Sequence, residues 1–388
     1  MHNLVPMNKR LESLDILRGL DLFLLTCLGP IIYTFLKTGD YSFYEPVHRQ
    51  ISHVAWQGYV LWDQIMPLFM FMSGVTIPFS MRKYRDQFLA GDAKAGSKVY
   101  WRIVRRVASL WILGMIVQGQ LLDLNPQVIR FFSNTLQAIA VGYLFTALAF
   151  LHTRPRSQYI IAAGLLLLYW ALMMFVRVGE YGGGDFTRDY NLCEYVDRVV
   201  LGRFRDAASI GDDGSVVFSE RYRYTWILSS LNFVVTVMTG MFAGRYLRDG
   251  KDGGDRKALV LLGSGAAMVA LGWLWNLQMP VIKTIWTSSM VLVSSGYSFI
   301  LLAIVYWIVD VKQKGGWLKW LKIYGMNSIL AYMLYEVISW KSVAKSIFHG
   351  LEQYMSAPWY AFVIGLVGLA INAAILYYFY KKKIYLRV

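Results

Sequence analysis

The chain has 388 residues, of which 56% are hydrophobic and only 16% are charged, and its formal net charge is +15 at pH 7. A soluble domain carries roughly a quarter charged residues, whereas here apolar runs of about 20 residues, long enough to cross a bilayer, recur along the sequence. The composition excludes an ordinary soluble domain and predicts an all-α, polytopic helical bundle in a membrane.

Ten transmembrane helices are predicted, within a single transmembrane domain that covers residues 1–388. The predicted spans lie near residues 17–36, 59–80, 107–122, 131–151, 158–176, 225–244, 257–275, 284–309, 323–340 and 358–380. The first apolar run is too long for a cleaved signal peptide, so it is predicted to be the first membrane helix.

Positive charge is concentrated on one predicted side of the membrane. Basic residues follow the second span and the last span: Arg82, Lys83, Arg85, Arg102, Arg105, Arg106, Lys381, Lys382 and Lys383. Because short cytoplasmic loops of membrane proteins carry an excess of lysine and arginine, both termini are predicted to be cytoplasmic. The charge is therefore an orientation signal, and no nucleic-acid partner is predicted.

The segment RLESLDILRGLD at residues 10–21 opens the first span. Asp15 lies where the helix dipole favours an anion, and Arg18 is placed one turn later to pair with it. A salt-bridged helix start explains these residues. The alternative is that Arg18 acts with Arg105 and Arg106 to bind an anionic cofactor on the cytoplasmic side.

His53 precedes the second span, in the segment HVAWQGYVLWDQIMPLFMFMSG. Histidine ordinarily exchanges its proton near neutral pH, so His53 is a candidate general base or acyl acceptor. Trp56 would then help to position the acceptor or the acyl group. The alternative is an interfacial histidine beside an aromatic neighbour.

Asp63 lies ten residues after His53, inside the same span. On a continuous helix the two residues would be about 15 Å apart, so the sequence predicts no direct hydrogen bond between their side chains. An acidic group inside a span usually faces a cavity or pairs with another residue. A substrate contact and a structural salt bridge are both open for Asp63.

Further along the chain, the region 177–224 is a long outer loop rich in glycine, tyrosine and aspartate, either a connector or a lid over a site. Asn327 and Glu336 lie in a late span, YGMNSILAYMLYEVISW. Intramembrane amides commonly join helices, whereas an intramembrane carboxylate is a functional hypothesis. Asn327 is a candidate oxyanion donor, and Glu336 a candidate contact for the acceptor.

The chain has two cysteines, and neither a disulfide nor a metal site is predicted.

Four segments in this order resemble the heparan-α-glucosaminide N-acetyltransferase family and its bacterial relatives. They are RLESLDILRG, HVAWQGYVLWDQIMPLFMFMSG, LQAIAVGY, and TIWTSSMVLVSSGYSFILLAIVYWIVDV followed by GMNSILAY. The sequence departs from the family pattern at Gly29, where asparagine is common, at Ala138, where arginine is common, and at Tyr324, which replaces a proline.

The resemblance implies a transmembrane acyltransferase, with His53 as the active-site residue. Members of the family use cytosolic acetyl-CoA and acetylate the amino group of a terminal glucosamine on the far side of the membrane. The implied partners are acetyl-CoA, a glycan or amino-sugar acceptor and membrane lipid. An inner-membrane location in a bacterium and a homodimer are also implied.

Two other classes of function stay open. Asp63, Glu336 and the many helices also fit a secondary transporter, which would move a solute without dependence on CoA. A membrane scaffold would show neither solute flux nor CoA release. The absence of an internal repeat disfavours the transporter.

Overall fold

The computed structural model describes residues 11–91, 93–206, 208–219 and 224–386, without the side chains of residues 93–95. The ends of the predicted domain, Arg10 of the first motif, and residues 207 and 220–223 of the long loop lie outside these ranges. Within them the chain is mostly helical. The helices are α1 (Glu12–Phe23), α2 (Gly29–Leu36), α3 (Tyr44–Gln50), α4 (Ile65–Val75), α5 (Ile77–Leu89), α6 (Ala93–Val117), α7 (Thr135–His152), α8 (Pro155–Phe175), α9 (Leu192–Leu201), α10 (Ser230–Asp249), α11 (Gly254–Trp275), α12 (Ser288–Tyr306), α13 (Lys322–Gly325), α14 (Ser328–Val337), α15 (Trp340–Phe348) and α16 (Ala357–Lys381).

The β-structure of the described residues is confined to two short antiparallel hairpins. Strand β1 (Arg177–Val178) pairs with β2 (Tyr181–Gly182), and β3 (Ala208–Ile210) pairs with β4 (Val216–Phe218). Both hairpins belong to the long loop predicted at 177–224, which also contains α9. This loop is therefore a small folded unit.

Seven helical segments of the described chain are long and apolar enough to cross a membrane. They are Glu12–Leu36, Leu61–Leu89, Thr135–His152, Pro155–Phe175, Gly254–Trp275, Ser288–Val311 and Ala357–Lys381. Each coincides with a predicted span. The other three predicted spans fall on α6, α10 and α13–α14, which are shorter or carry more charges. The predicted total of ten and the cytoplasmic position of both termini stay predictions.

The first span is not a regular helix. A π-helical turn, Leu24–Leu28, separates α1 from α2, and Pro30 lies immediately after it. Proline has no backbone N–H to donate within a helix, and π-turns are frequent at functional sites. The irregular turn brings Leu25 to the wall of the cavity described below.

The centre of the bundle is formed by α4 and α10, which cross at very short distance. A Cβ atom added at Gly74 would lie 1.9 Å from the carbonyl oxygen of Val237, and one added at Gly240 would lie 1.9 Å from that of Phe71. Replacing either glycine with any other residue would therefore force the two helices apart. The crossing therefore fixes α4, which carries one wall of the cavity.

Candidate functional site

Four interhelical connections meet at one end of the bundle, here called the loop end. They comprise residues 37–60, 118–134, 176–229 and 276–287. Backbone hydrogen bonds join them: Gly58 N–H to Val281 O, Phe131 N–H to Phe204 O, and Thr225 N–H to Thr284 O. Residues far apart in sequence are thus held together in a fixed arrangement.

His53 and Asp63 form a direct hydrogen bond at the loop end. The distance from His53 Nδ1 to Asp63 Oδ1 is 2.7 Å, and the second carboxylate oxygen accepts the Val60 N–H at 3.3 Å. The prediction that these side chains are too far apart is wrong, because residues 51–60 are not helical and the chain returns on itself. A short 3₁₀ turn, Leu61–Gln64, then carries Asp63 back to His53.

The hydrogen bond determines which imidazole nitrogen is available. A carboxylate only accepts, so Nδ1 of the neutral ring carries the proton and Nε2 keeps its lone pair. The Asp63 side chain is almost fully buried, whereas 48% of the His53 side chain is exposed. A buried carboxylate thus orients an accessible imidazole.

Lys283 completes the cluster from the connection before α12. Its Nζ lies 3.5 Å from Asp63 Oδ1 and 3.4 Å from His53 Nδ1, and only 6% of its side chain is exposed. The carboxylate of Asp63 therefore has two neighbours, an ammonium and an imidazole. We refer to His53, Asp63 and Lys283 as the triad.

A cavity of about 270 Å³ lies beside the triad. Three α-helices (α4, α7 and α14), the π-turn, the 3₁₀ turn and all four loop-end connections contribute to its wall: Leu25, His53, Trp62, Ile65, Met66, Phe69, Gln118, Ser133, Asn134, Thr135, Tyr224, Trp226, Lys283, Tyr332 and Glu336. Phe69 is eight residues, or about 12 Å, beyond Leu61 along the helix. The cavity therefore extends along the second apolar span from its loop end.

Polar side chains of the cavity lie among apolar ones. Glu336 is partly buried and accepts a hydrogen bond of 3.3 Å from Gln118 Nε2. The Ser133 side chain is buried, and its hydroxyl has no hydrogen-bond partner within the described part of the chain. A few convergent polar groups in a mainly apolar cavity are typical of a small-molecule site.

Trp56 and Asn327, both predicted to position the acceptor or the acyl group, lie outside the cavity lining. Trp56 Nε1 donates to the carbonyl of Phe186 at 2.8 Å, which ties the first connection to the long loop. Asn327 Nδ2 donates to Ile384 O, and Asn327 Oδ1 accepts the Leu386 N–H. The amide of Asn327 therefore holds the C-terminal segment, and its role as an oxyanion donor stays a prediction.

The three arginines predicted to bind a cofactor differ in their contacts and exposure. Arg18 contacts Asp15, with 3.4 Å between Nη1 and Oδ1. Arg105 is exposed on α6, and the guanidinium of Arg106 lies 4.3 Å from the ring centre of Tyr143. Their role in cofactor binding stays a prediction.

The departures from the family pattern have structural counterparts. A Cβ atom at Gly29 would lie 2.1 Å from the indole of Trp62, so the tryptophan occupies the space of a side chain there. Ala138 is fully buried. The Tyr324 hydroxyl contacts the Cys27 sulfur at 3.3 Å. Trp62 therefore shapes the cavity wall at the position where the family commonly has asparagine.

A buried ionic cluster holds the long loop against the cavity. Arg205 and Glu194 are both fully buried and form a bidentate pair, with bonds of 2.6 and 2.7 Å. Asp197 accepts the backbone N–H groups of Trp226 and Ile227 at 2.7 and 2.9 Å. Since Trp226 lines the cavity, the loop forms part of the wall.

Stability is expected to fall from pH 5 to pH 7 through Asp197. Burial raises the pKa of this carboxyl to about 7, against about 3.9 in an unfolded chain. Between these values the folded state holds a proton that the unfolded state has released, so rising pH destabilises the fold by about 1.4 kcal/mol per unit. Asp197→Asn should therefore flatten the dependence of the apparent Tm on pH, measured by thermal unfolding in detergent.

The exposed Asp213→Asn variant is the control for this prediction and should keep the pH dependence of the unaltered protein. An Asp197→Asn protein whose Tm falls with pH as steeply as before would contradict the assignment.

Sequence reasoning missed Lys283, Ser133 and the aromatic wall formed by Tyr224 and Trp226. One signal was available for Lys283, which is the only cation in the apolar run PVIKTIW. This run lies on the predicted outer side of the membrane, where short loops carry few lysines. No local signal distinguishes Ser133 from other helix-start serines. Its importance follows from an unpartnered hydroxyl in a cavity, which is a property of the fold.

Seven apolar helical spans define an integral membrane protein with a mainly apolar cavity at its loop end. No family model matches the chain. The heparan-alpha-glucosaminide N-acetyltransferase of Mus musculus is 25% identical over 441 residues, which cover 98% of this chain and 60% of that protein. The protein of the same name from Homo sapiens is 25% identical over 434 residues, with the same coverage.

The chain is therefore a distant relative of these N-acetyltransferases, and the resemblance inferred from the four motifs is confirmed. It spans about 60% of the length of the two curated relatives.

Proposed function

We propose that the protein is a transmembrane acyltransferase that moves an acetyl group from acetyl-CoA to the amino group of a sugar at the loop end. The observation that carries this proposal is the hydrogen bond between His53 and Asp63 beside a cavity. An imidazole oriented by a buried carboxylate is the arrangement that general-base and nucleophilic acyl transfer require. The distant relationship to N-acetyltransferases favours the same chemistry.

Two routes use the same Nε2 lone pair. In the direct route, the uncharged acceptor amine attacks the thioester carbonyl, Nε2 takes the proton of the amine, and this proton passes to the departing CoA sulfur. In the two-step route, Nε2 attacks the carbonyl and the C–S bond breaks. The amine then attacks the acetyl carbon and the bond from that carbon to Nε2 breaks. Nε2 takes the proton that the amine loses and passes it to the CoA thiolate formed in the first step, which returns neutral His53.

The developing oxyanion needs hydrogen-bond donors in either route. Ser133, whose buried hydroxyl has no partner within the described residues, and Lys283 both belong to the cavity wall. These two residues are the donors that we propose. Asn327, the earlier candidate, is engaged with the C-terminal segment.

The donor would enter from the end opposite the loop end. Arg18 lies seven residues before Leu25, or about 10 Å, and Arg106 lies twelve residues before Gln118, or about 18 Å. Leu25 and Gln118 both line the cavity. An extended pantetheine arm would span such distances, with its nucleotide phosphates near the predicted cationic residues.

The acceptor would enter at the loop end, where His53 is exposed. Glu336 lies in the same cavity wall and could bind the ammonium form of an amino sugar before deprotonation. This makes an amine a better acceptor than a hydroxyl. A homodimer and a bacterial inner-membrane location, implied by the resemblance, are part of the proposal and stay predictions.

The purified protein in detergent is expected to release CoA from acetyl-CoA when glucosamine or a glycan ending in glucosamine is added. N-acetylglucosamine is the matched control and should give no release above background, because its nitrogen is already acylated. CoA release is followed with a thiol reagent, and the acetylated product by mass spectrometry. Solute flux in proteoliposomes without CoA, together with no release for any amine, would instead favour the transporter.

A further inference from the structure

Lys283, already a candidate oxyanion donor, is also a buried cation in contact with the pair formed by His53 and Asp63. It lies on the connection between α11 and α12, 230 residues from His53 in sequence, and only 6% of its side chain is exposed. Burying an ammonium is costly unless a counter-charge compensates it. A lysine in this position therefore calls for a reason, which the neighbouring groups supply.

The distances define the contact that Lys283 makes. Its Nζ is 3.5 Å from Asp63 Oδ1, within ion-pair range, and 3.4 Å from His53 Nδ1. Because Nδ1 donates its proton to Asp63, it cannot accept one from the ammonium. The ammonium therefore binds the carboxylate, and its positive charge lies next to the imidazole without a hydrogen bond between them.

Other titratable groups face the triad from the surrounding elements. Asp21 on α1 interacts electrostatically with Lys283, Tyr59 lies near Asp63, and the ring of Tyr297 stacks on that of Tyr59. Glu336, Tyr224 and Tyr332 face it across the cavity. Among the cavity-lining residues, Lys283 is the cation closest to the pair formed by His53 and Asp63.

We propose that Lys283 is a positioning residue that shares Asp63 with His53 and so keeps the imidazole uncharged, with its Nε2 lone pair available, at neutral pH. Asp63 alone would favour the imidazolium, which is neither a base nor a nucleophile. The ammonium of Lys283 neutralises part of that field and repels a second positive charge 3.4 Å away. The catalytic meaning of this inference rests on the proposed function, whereas the effect of Lys283 on the protonation of His53 can be measured without it.

The test is an NMR titration of the full-length protein in detergent, with ¹³C at the Cε1 position of histidine. The chain has five histidines, and the His53 signal is the one lost in His53→Ala. Two neutral variants, Lys283→Met and Lys283→Gln, should each raise the titration midpoint of His53 by about one pH unit or more. Lys283→Arg, which keeps the charge, should leave it within a few tenths of a unit.

Lys345→Met is the matched control, because it removes an exposed lysine from α15 and should not move the midpoint. A midpoint that is unchanged or lower in both neutral variants would overturn the inference. A purely structural role for Lys283 would reduce the amount of monodisperse protein without this upward shift. Two neutral variants are used so that the failure of one to fold does not prevent the measurement.

Activity measured on the same samples separates this inference from the proposed function. If acetyl transfer is absent in the unaltered protein but the midpoint rises as expected, the proposed function fails and the charge balance stands. If acetyl transfer occurs, the acid limb of kcat/KM against pH should move upward with the midpoint in Lys283→Met. If acetyl transfer occurs but neither the acid limb nor the His53 midpoint moves in Lys283→Met, the proposed function stands and the role inferred for Lys283 is rejected.

Discussion

Replacing His53 with alanine is expected to reduce acetyl transfer by about 10²- to 10⁴-fold if the imidazole acts as a general base. The loss should be larger if the imidazole itself carries the acetyl group, because among the described residues no other histidine lines the cavity. The side chain is 48% exposed, so its removal leaves little buried space and folding should be preserved. The measurement is acceptor-dependent CoA release under single-turnover conditions.

The control for this prediction is His48→Ala. His48 also lies at the loop end, where its Nε2 is 3.3 Å from Ser52 Oγ and its ring stacks on Tyr44. Since it does not line the cavity, its replacement should leave CoA release within a few-fold of the unaltered protein. Equal activity of the His53→Ala protein and the unaltered protein would remove His53 from the mechanism.

The size of the effect does not distinguish the two routes, but covalent labelling does. With radioactive acetyl-CoA and no acceptor, the two-step route predicts rapid transfer of label to the protein and none to His53→Ala. The direct route predicts an unlabelled protein that nonetheless transfers acetyl once the amine is added. Label that persists in His53→Ala would point to another nucleophile.

Asp63→Asn is expected to lower kcat by up to about 10⁴-fold, as loss of the orienting aspartate does in the Ser-His-Asp triad. An amide can donate to Nδ1 and so favour the tautomer whose proton is on Nε2, which removes the reactive lone pair. It also removes the charge that stabilises an imidazolium. The KM for acetyl-CoA should change little, because asparagine has the shape of aspartate and Asp63 is not among the cavity-lining residues.

A loss of stability has to be separated from this catalytic effect. Asp63→Asn leaves the buried ammonium of Lys283 without its carboxylate, and breaking a buried ion pair costs about 3–5 kcal/mol. The double variant Asp63→Asn, Lys283→Met should recover part of the lost thermal stability yet remain inactive. Asp213→Asn makes the same substitution at an exposed position and is the control; it should change neither activity nor thermal stability. Recovery of activity in the double variant would show that Asp63 serves only to neutralise Lys283.

The pairing of His53 with Asp63 shows where sequence reasoning failed. The helical rise was applied to a stretch that the structure shows to be non-helical from residue 51 to residue 60. Gly58, whose φ is +115°, lies in this stretch, and its N–H bonds to Val281. The return of the chain therefore depends on another connection, which the sequence around His53 does not contain.

Much of the site's composition was nonetheless visible in the sequence. His53 and Glu336 were both named as candidates, and both line one cavity. The motif LQAIAVGY begins one residue after Thr135 in the same wall. Trp56 and Asn327 were named for the same reason, but hydrogen bonds to the long loop and to the C-terminal segment direct their side chains elsewhere.

The sequence by itself determined that this is a helical membrane protein related to N-acetyltransferases, because apolar length is a local property and motifs are read residue by residue. Only the tertiary structure decided that His53, Asp63 and Lys283 meet. Lys283 is 230 residues from His53, and their contact depends on loop-end hydrogen bonds between separate connections. The ion pair between Lys283 and Asp63, 3.5 Å long, is set by the packing of separate connections. The spacing of these residues along the chain does not predict that packing.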